Sequence, residues 1–253
     1  MLESHPEGVM IVTGGSRGIG AATARLAAER GYAVCVNFVA NERAALTVVD
    51  EIRDRGGRAI AVRADVAREA DIVHLFDEAV KQFGPLTALV NNAGILERQG
   101  RVEDMDVARL ERVFTTNITG AFLCAREAVR RMAVRHGGRG GAIVNVSSKA
   151  SQIGAPNEYV DYAASKGALD TLTLGLAKEV AEEGIRVNAV RAGFIYTEIH
   201  ARGGEPNRVD RVKVFVPMKR GGTADEVARA ILWLLSDEAS YTTGSFIDVT
   251  GGR

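Results

Sequence analysis

The chain's 253 residues, 46% of them hydrophobic, suffice to bury one large core and fit an undivided α/β domain. Its 32 basic and 32 acidic residues cancel, and no basic run carries interleaved aromatics, which sets nucleic acid aside as a partner. No stretch approaches the ~18 consecutive apolar residues of a membrane helix, and the polar start, with Glu3, His5, Pro6 and Glu7 before Gly8, lacks the basic and apolar regions of a signal peptide.

Cys35 and Cys124 have no C-x-x-C spacing and no nearby His, which predicts reduced, structural thiols in a cytoplasmic protein. The four histidines (His5, His74, His136 and His200) match no ligand spacing, so no metal site is expected.

In chain order, residues 8–13 (GVMIVT) form a short unbroken apolar run, as expected of a parallel strand buried on both faces. Gly14-Gly15-Ser16-Arg17-Gly18-Ile19-Gly20 follows, and then a helix over 21–30 closed by Gly31. Strand, glycine-rich turn and helix together make a phosphate site. Glycines permit the sharp turn, and the helix start offers free N–H groups and a positive dipole end. The spacing, T-G-x-x-x-G-x-G from Thr13 to Gly20, differs from the usual G-x-G-x-x-G. The second strand is expected over 33–39, and in a Rossmann fold its end meets the adenosine ribose. An acid there would bond the 2′-hydroxyl and repel a 2′-phosphate. This chain has Asn37 and Phe38 instead, with Arg17 in the loop close by. A guanidinium without a carboxylate favours a 2′-phosphate, hence NADP(H) over NAD(H). Asn41 and Arg43 either assist it or simply start the next helix.

The alternation continues with a helix at 42–55, a strand at 59–64, a helix at 69–83 and a strand at 86–90. Such alternation predicts a doubly wound parallel sheet, with ligands beyond the carboxyl ends of its strands. Gly14, Asp65 and the run Asn91-Asn92-Ala93-Gly94 fall at those ends. Asp65 would accept a hydrogen bond from an adenine amino group, or cap a helix. Helices at 104–113 and 118–136 flank Asn117. A fifth strand at 142–146 delivers Ser147 and Ser148, and a sixth at 185–190 leads to Arg191-Ala192-Gly193. Residues 194–216 have no clean period and are expected to be a functional lid. Thr223 and Glu226 form a capping box for a helix at 223–236, and the last strand is 245–249.

Tyr162 opens a helical run over 163–181, with Lys166 one turn on along the same face. A free phenol titrates near pH ~10, and a fixed positive charge close by lowers that value, giving an acid/base useful near neutrality. Tyr159 has Ala163 four residues on, so only Tyr162 has its lysine.

Together, TGGSRGIG (13–20), DV (65–66), NNAG (91–94), Asn117, IVNVSS (143–148), YAASK (162–166), IRVNAV (185–190) and YTTGSFIDVTGG (241–252) resemble the short-chain dehydrogenase/reductase family over essentially the whole chain. The branch most similar contains glucose 1-dehydrogenases and 3-oxoacyl-carrier-protein reductases. The resemblance implies a single Rossmann-like α/β domain over 1–253, with about seven parallel strands and helices on both faces. It implies Tyr162 as acid/base, Lys166 on the nicotinamide ribose and lowering the phenol pKa, Ser148 holding the substrate carbonyl oxygen, and Asn117 supporting a relay water. Ser148 is preferred to Ser147 because the second serine of this pair is usually catalytic in the family and successive extended residues point opposite ways. Cofactor contacts are expected at Gly14, Ser16, Arg17, Gly18, Ile19, Gly20, Asn37, Asp65, Val66, Asn91, Ala93, Gly94, Tyr162, Lys166, Gly193, Ile195 and Thr197. Ala192 stands where the family usually has a proline, which would stiffen the backbone at the nicotinamide.

The expected activity is NADP(H)-dependent interconversion of a carbonyl and a secondary alcohol. The competing reading is a non-catalytic NADP(H)-binding scaffold or redox sensor, against which the complete tetrad argues. The resemblance also implies a homotetramer, or a homodimer, built on helices 104–136 and 162–181 and the last strand. The substrate pocket is expected at 149–159 and the lid, with Glu158, Tyr196, His200 and Arg202 as candidate polar contacts.

Overall fold

Short runs of β-branched residues, too apolar to alternate, form the centre of the molecule. A computed structural model describes residues 8–253, so the polar segment holding Glu3, His5, Pro6 and Glu7 lies outside the described residues. The strands are β1 (Val9–Val12), β2 (Ala33–Phe38), β3 (Arg58–Arg63), β4 (Leu86–Asn91), β5 (Gly141–Ser148), β6 (Ile185–Ala192) and β7 (Phe246–Val249). They make one parallel sheet in the order β3-β2-β1-β4-β5-β6-β7. The chain runs outward one way from β1 and then crosses back to β4, so the switch point lies between β1 and β4, where such sheets bind ligands.

The helices are α1 (Gly18–Glu29), α2 (Glu42–Asp54), α3 (Glu69–Phe83), α4 (Val107–Phe114), α5 (Gly120–Met132), α6 (Ala150–Ile153), α7 (Val160–Glu179), α8 (Ile199–Arg202), α9 (Arg208–Val212) and α10 (Ala224–Leu235). Successive strand residues point to opposite faces. Met10, Val12, Val34 and Val36 therefore pack under α1, α2 and α10, while Val9, Ile11 and Cys35 pack under α3, α5 and α7. Both cysteines are buried and free. Burial pushes the Cys124 thiol up to about 12 and Cys35 higher still, so neither is a reactive thiolate.

Three expectations about elements are corrected. Helix α1 begins at Gly18 rather than at 21, because its first turn is built from the glycine loop itself. Helices α4 and α5 are not separated at Asn117. A π turn over Thr115–Thr119 joins them, and its extra residue shifts the apolar phase in the way a break does. The stretch 194–216 is not irregular throughout, since it holds α8, α9 and a 3-10 turn at Lys213–Phe215. Elements this short contain too few repeats to show a period. The capping box stands as expected: Thr223 Oγ1 accepts from Glu226 N–H at 3.2 Å, and Thr223 N–H donates to Glu226 Oε2 at 2.8 Å.

One ion pair sets where α7 starts. Arg109 of α4 donates through Nε and Nη2 to the Asp161 carboxylate, at 2.7 and 3.1 Å. The Asp161 side chain is 2% exposed. Removing the arginine strands a buried charge, so Arg109→Leu is expected to cost about 3–5 kcal/mol in urea unfolding. A loss below about 1 kcal/mol would show that the pair behaves as an exposed one.

Candidate functional site

Above the carboxyl ends of the strands lies a cavity of about 580 Å³, running from Gly14 and Arg17 past Ser148, Tyr162 and Lys166 to Tyr159 and Arg253. At its first end the start of α1 faces the opening. No side chain caps that helix and no acid lies in its first turn, so its free N–H groups remain available to an anion. Gly18, at φ +51, and Gly20 are required here. A Cβ on Gly20 would lie 2.5 Å from Gly14 O and 2.6 Å from Asn92 Nδ2. Across the opening, Glu198 Oε2 stands 3.7 Å from the Cβ position of Gly18, so a carboxylate of this chain approaches the helix start. Arg17 is exposed and has no salt bridge among the described residues. Burial and the like charge of Arg202 lower its pKa, against Glu198.

The middle of the cavity is organised by α7 and β5. Lys166 is 4% exposed and donates through Nζ to Val146 O at 2.7 Å. Loss of hydration lowers its pKa to about 8, while Asp170 pulls upward. Its Nζ lies 5.5 Å from the centre of the Tyr162 ring. Burial pushes the Tyr162 phenol up to about 12, with the Ser148 hydroxyl beside it drawing it back. In the protein alone, burial is the largest influence on the phenol, and one N–H of the ammonium is given to a carbonyl. Ser147 faces the other way and donates to Asp170 Oδ1 at 2.6 Å. Tyr159 is buried, donates to Gly203 O at 3.3 Å and has Arg208 over its ring, so it serves as wall.

Gly14, Arg17, Gly18, Ile19, Ala93, Gly94, Tyr162, Lys166, Gly193, Ile195 and Thr197 all line the cavity. The other six expected contacts are not part of the cavity wall. The Asn37 side chain, with the residue 1% exposed, is engaged within the protein: its Oδ1 accepts from Gly14 N–H at 3.1 Å and its Nδ2 donates to Ala64 O at 2.8 Å. It braces the glycine loop from beneath. Asn91 is likewise spent, donating to Ala121 O and to Asn145 Oδ1, each at 3.1 Å. The Val66 side chain is buried in the core, and Gly20 sits beneath the loop. Ser16 is part of the loop but not of the cavity wall. Asp65 is partly exposed at the end of β3, where its Oδ1 accepts from Ala67 N–H at 2.9 Å as a local turn, with α3 starting only at Glu69. Asn41 caps α2 by accepting from Ala44 N–H.

The Asn117 side chain is buried and fully engaged. It accepts from Ile95 N–H at 2.8 Å and donates to Ile95 O and Ser165 Oγ at 3.1 and 3.0 Å. It stands close to Lys166, since a Cβ on Gly94 would lie 3.4 Å from Asn117 Oδ1 and 3.7 Å from Lys166 Nζ.

Sequence reasoning missed Asn92 and Asp170. Asn92 Nδ2 donates to Thr13 O and Gly14 O, at 2.8 and 3.1 Å, which locks the glycine loop from above. The alternation of side chains beyond β4 would have assigned Asn91 and Asn92 to opposite faces. Asp170 gathers Ser147, Ser151 and Arg191, and nothing local in the sequence marks it.

The burial of Lys166 carries a pH signature. Its folded pKa of about 8 lies below the ordinary 10.5, so the unfolded chain binds the extra proton between those values. The burial penalty is full below pH 8 and is relieved as pH rises through that window. Relative to Lys166→Met, the wild type is expected to gain about 3 kcal/mol of unfolding free energy across it. A flat difference would show that the ammonium is solvated.

The uncapped helix start, the tight glycines and the buried ammonium fit a dinucleotide with a ribose at its far end. Comparisons agree. The family model described as enoyl-(acyl carrier protein) reductase matches residues 14–253. An uncharacterized oxidoreductase of Escherichia coli K12, YgfF, is 61% identical over 245 residues, 97% of this chain and 99% of that one. The cis-4-hydroxycyclohexanecarboxylate dehydrogenase of Sinomonas cyclohexanicum is 42% identical over 253 residues, covering 100% and 98%. A short-chain dehydrogenase from Burkholderia cenocepacia J2315, solved in complex with NADP, superposes with a TM-score of 0.90 at 31% identity, over 99% of each chain. By these matches and by its fold, the chain belongs to the short-chain dehydrogenase/reductase family of nicotinamide-dependent oxidoreductases.

Proposed function

We propose that this protein is an NADP(H)-dependent oxidoreductase that interconverts a ketone and a secondary alcohol, with Tyr162 as the acid/base. The observation that carries the reading is the convergence of Tyr162, Ser148 and Lys166 on one cavity whose far end is an uncapped helix start. The dinucleotide, when bound, exchanges a hydride at its nicotinamide ring and in its oxidised form adds a positive charge beside the phenol. The α1 N–H groups and Arg17 hold the phosphates, and the guanidinium faces no carboxylate fixed by a salt bridge, which favours a 2′-phosphate. Lys166 holds the ribose hydroxyls, and the segment at Gly193, Ile195 and Thr197 meets the carboxamide.

In the reducing direction Ser148 donates a hydrogen bond to the carbonyl oxygen, and the Tyr162 phenol gives that oxygen its proton as the carbon receives the hydride. The phenolate regains a proton through Lys166 and water. With its side chain engaged, Asn117 supports that relay from the main chain of the π turn. Lowering of the phenol pKa then belongs to the complex: the cofactor's positive charge stabilises the phenolate where Lys166 alone does not.

Residues 8–253 are read as one domain, with 194–216 as its lid. A homotetramer through α5 and α7 is supported by Phe122 and Leu174, exposed on those helices. Two buried free thiols suit the cytoplasm. The name of the Sinomonas relative, at 42% identity, brings ring-borne secondary alcohols and ketones to the front of a substrate panel.

Tyr162→Phe is expected to lower kcat by about 10²–10⁴-fold with NADPH binding unchanged. Near wild-type turnover in that variant, followed by NADPH absorbance against a ketone panel, would remove the phenol from the mechanism. For the cofactor, Arg17→Ala is expected to weaken NADPH by about tenfold or more while leaving NADH nearly unchanged. Equal effects on both would assign Arg17 to the shared phosphates.

A further inference from the structure

The second end of the cavity has a composition of its own. Leu96, Ile153, Ala155, Pro156 and Ile199 give it an apolar wall, closed by the rings of Tyr159 and Phe194. Such a wall accepts a compact hydrocarbon body and offers little to a polyol. The cations around the cavity are unequal in what they have left to give. Lys149 is paired with Asp248 at 2.7 Å. Lys166 gives one N–H to Val146 O and is assigned to the ribose. Arg208, with its side chain 7% exposed, is held by the Glu158 carboxylate and by Glu205 at 3.2 Å, both shared with Arg211, so the four charges balance. Arg17 and Arg202 are close enough for the charge of one to act on the other, and Arg17 is assigned to the phosphate end.

Arg253 remains. It lines the cavity, is exposed, and has no carboxylate partner among the described residues. Its guanidinium lies 4.7 Å from the centre of the Phe194 ring, while Arg208 lies 5.5 Å from the same ring. Stacking on an aromatic face fixes the plane of a guanidinium and leaves its N–H fork free. An unpaired fork at the edge of an apolar wall matches one planar carboxylate.

We propose that Arg253 is a specificity-determining residue that anchors the carboxylate of an apolar-bodied keto acid, or of the matching hydroxy acid, with the reacting carbon turned toward Tyr162. This rests on the reading of the cavity as a carbonyl-reducing site. It assigns the substrate class: an anion with a hydrocarbon body short enough to span from Arg253 to the phenol.

The test compares 4-oxocyclohexanecarboxylate with its neutral methyl ester, using the full chain and NADPH. Wild-type kcat/KM is expected to favour the acid by about tenfold or more, and Arg253→Gln is expected to raise KM for the acid by about tenfold, with kcat within about twofold and the ester unmoved. Arg253→Lys should restore part of the affinity, as a charge without the fork. Acid binding to the Tyr162→Phe protein with NADPH, measured by calorimetry, decides the matter independently of turnover. There the acid is expected to bind, and the added Arg253→Gln change to abolish binding. A wild type that prefers the ester, equal effects of Arg253→Gln on acid and ester, or calorimetric binding indifferent to Arg253 would each overturn the assignment. If acid binding depends on Arg253 but no ketone is reduced, the substrate assignment stands and the proposed reaction fails.

Discussion

An ammonium sealed inside a protein has to be held by something, and here the Val146 carbonyl holds Lys166. Stripping a charge of water costs several kcal/mol unless nearby groups replace the water. The surroundings of α7 are arranged to do so. Asp170, one turn beyond Lys166, adds a favourable negative charge and is itself fixed by Ser147, Ser151 and Arg191. At the start of the helix the Arg109–Asp161 pair fixes the residue beside Tyr162. The phenol, the serine at the end of β5 and the lysine keep their relative positions because one helix is tied down at both sides of the site.

The loops over the sheet are braced by buried amides. Asn37 supports the glycine loop from below and Asn92 from above, while Asn91 and Asn145 link β4 to β5 and Asn145 continues to Thr173 of α7. Asn37, Asn91 and Asn92 satisfy main-chain groups that would otherwise be buried without partners, and Asn145 ties side chains together. The network therefore fixes the phosphate end and the tyrosine end against one another, and a dinucleotide needs both at a set separation.

Much of this was readable before any coordinates. Unbroken Val/Ile runs alternating with amphipathic stretches fix the parallel sheet, and the glycine spacing locates the turn after β1, because these signals are periodic and local. Direction and environment were less legible. A sequence says that Asn37 ends a strand, but which of two faces its amide takes decides between ribose contact and loop brace. Likewise Y-x-x-x-K places an ammonium one turn from a phenol, yet whether the charge lowers the phenol pKa depends on burial and on what else the ammonium bonds. The π turn at Asn117 reads as a break because one inserted residue mimics one. Arg253 carries no motif, and only folding brings it against Phe194.

The account ties the acidity of Tyr162 to the assembled complex and not to Lys166 alone. The direct measurement is the titration of the Tyr162 ζ-carbon by NMR in labelled protein, identified by its loss in Tyr162→Phe, with and without NADP+. The account predicts that the free protein keeps its phenol protonated up to about 12 and that bound NADP+ lowers the midpoint by about two units or more. A midpoint indifferent to NADP+, or one already near neutrality in the free protein, would contradict it.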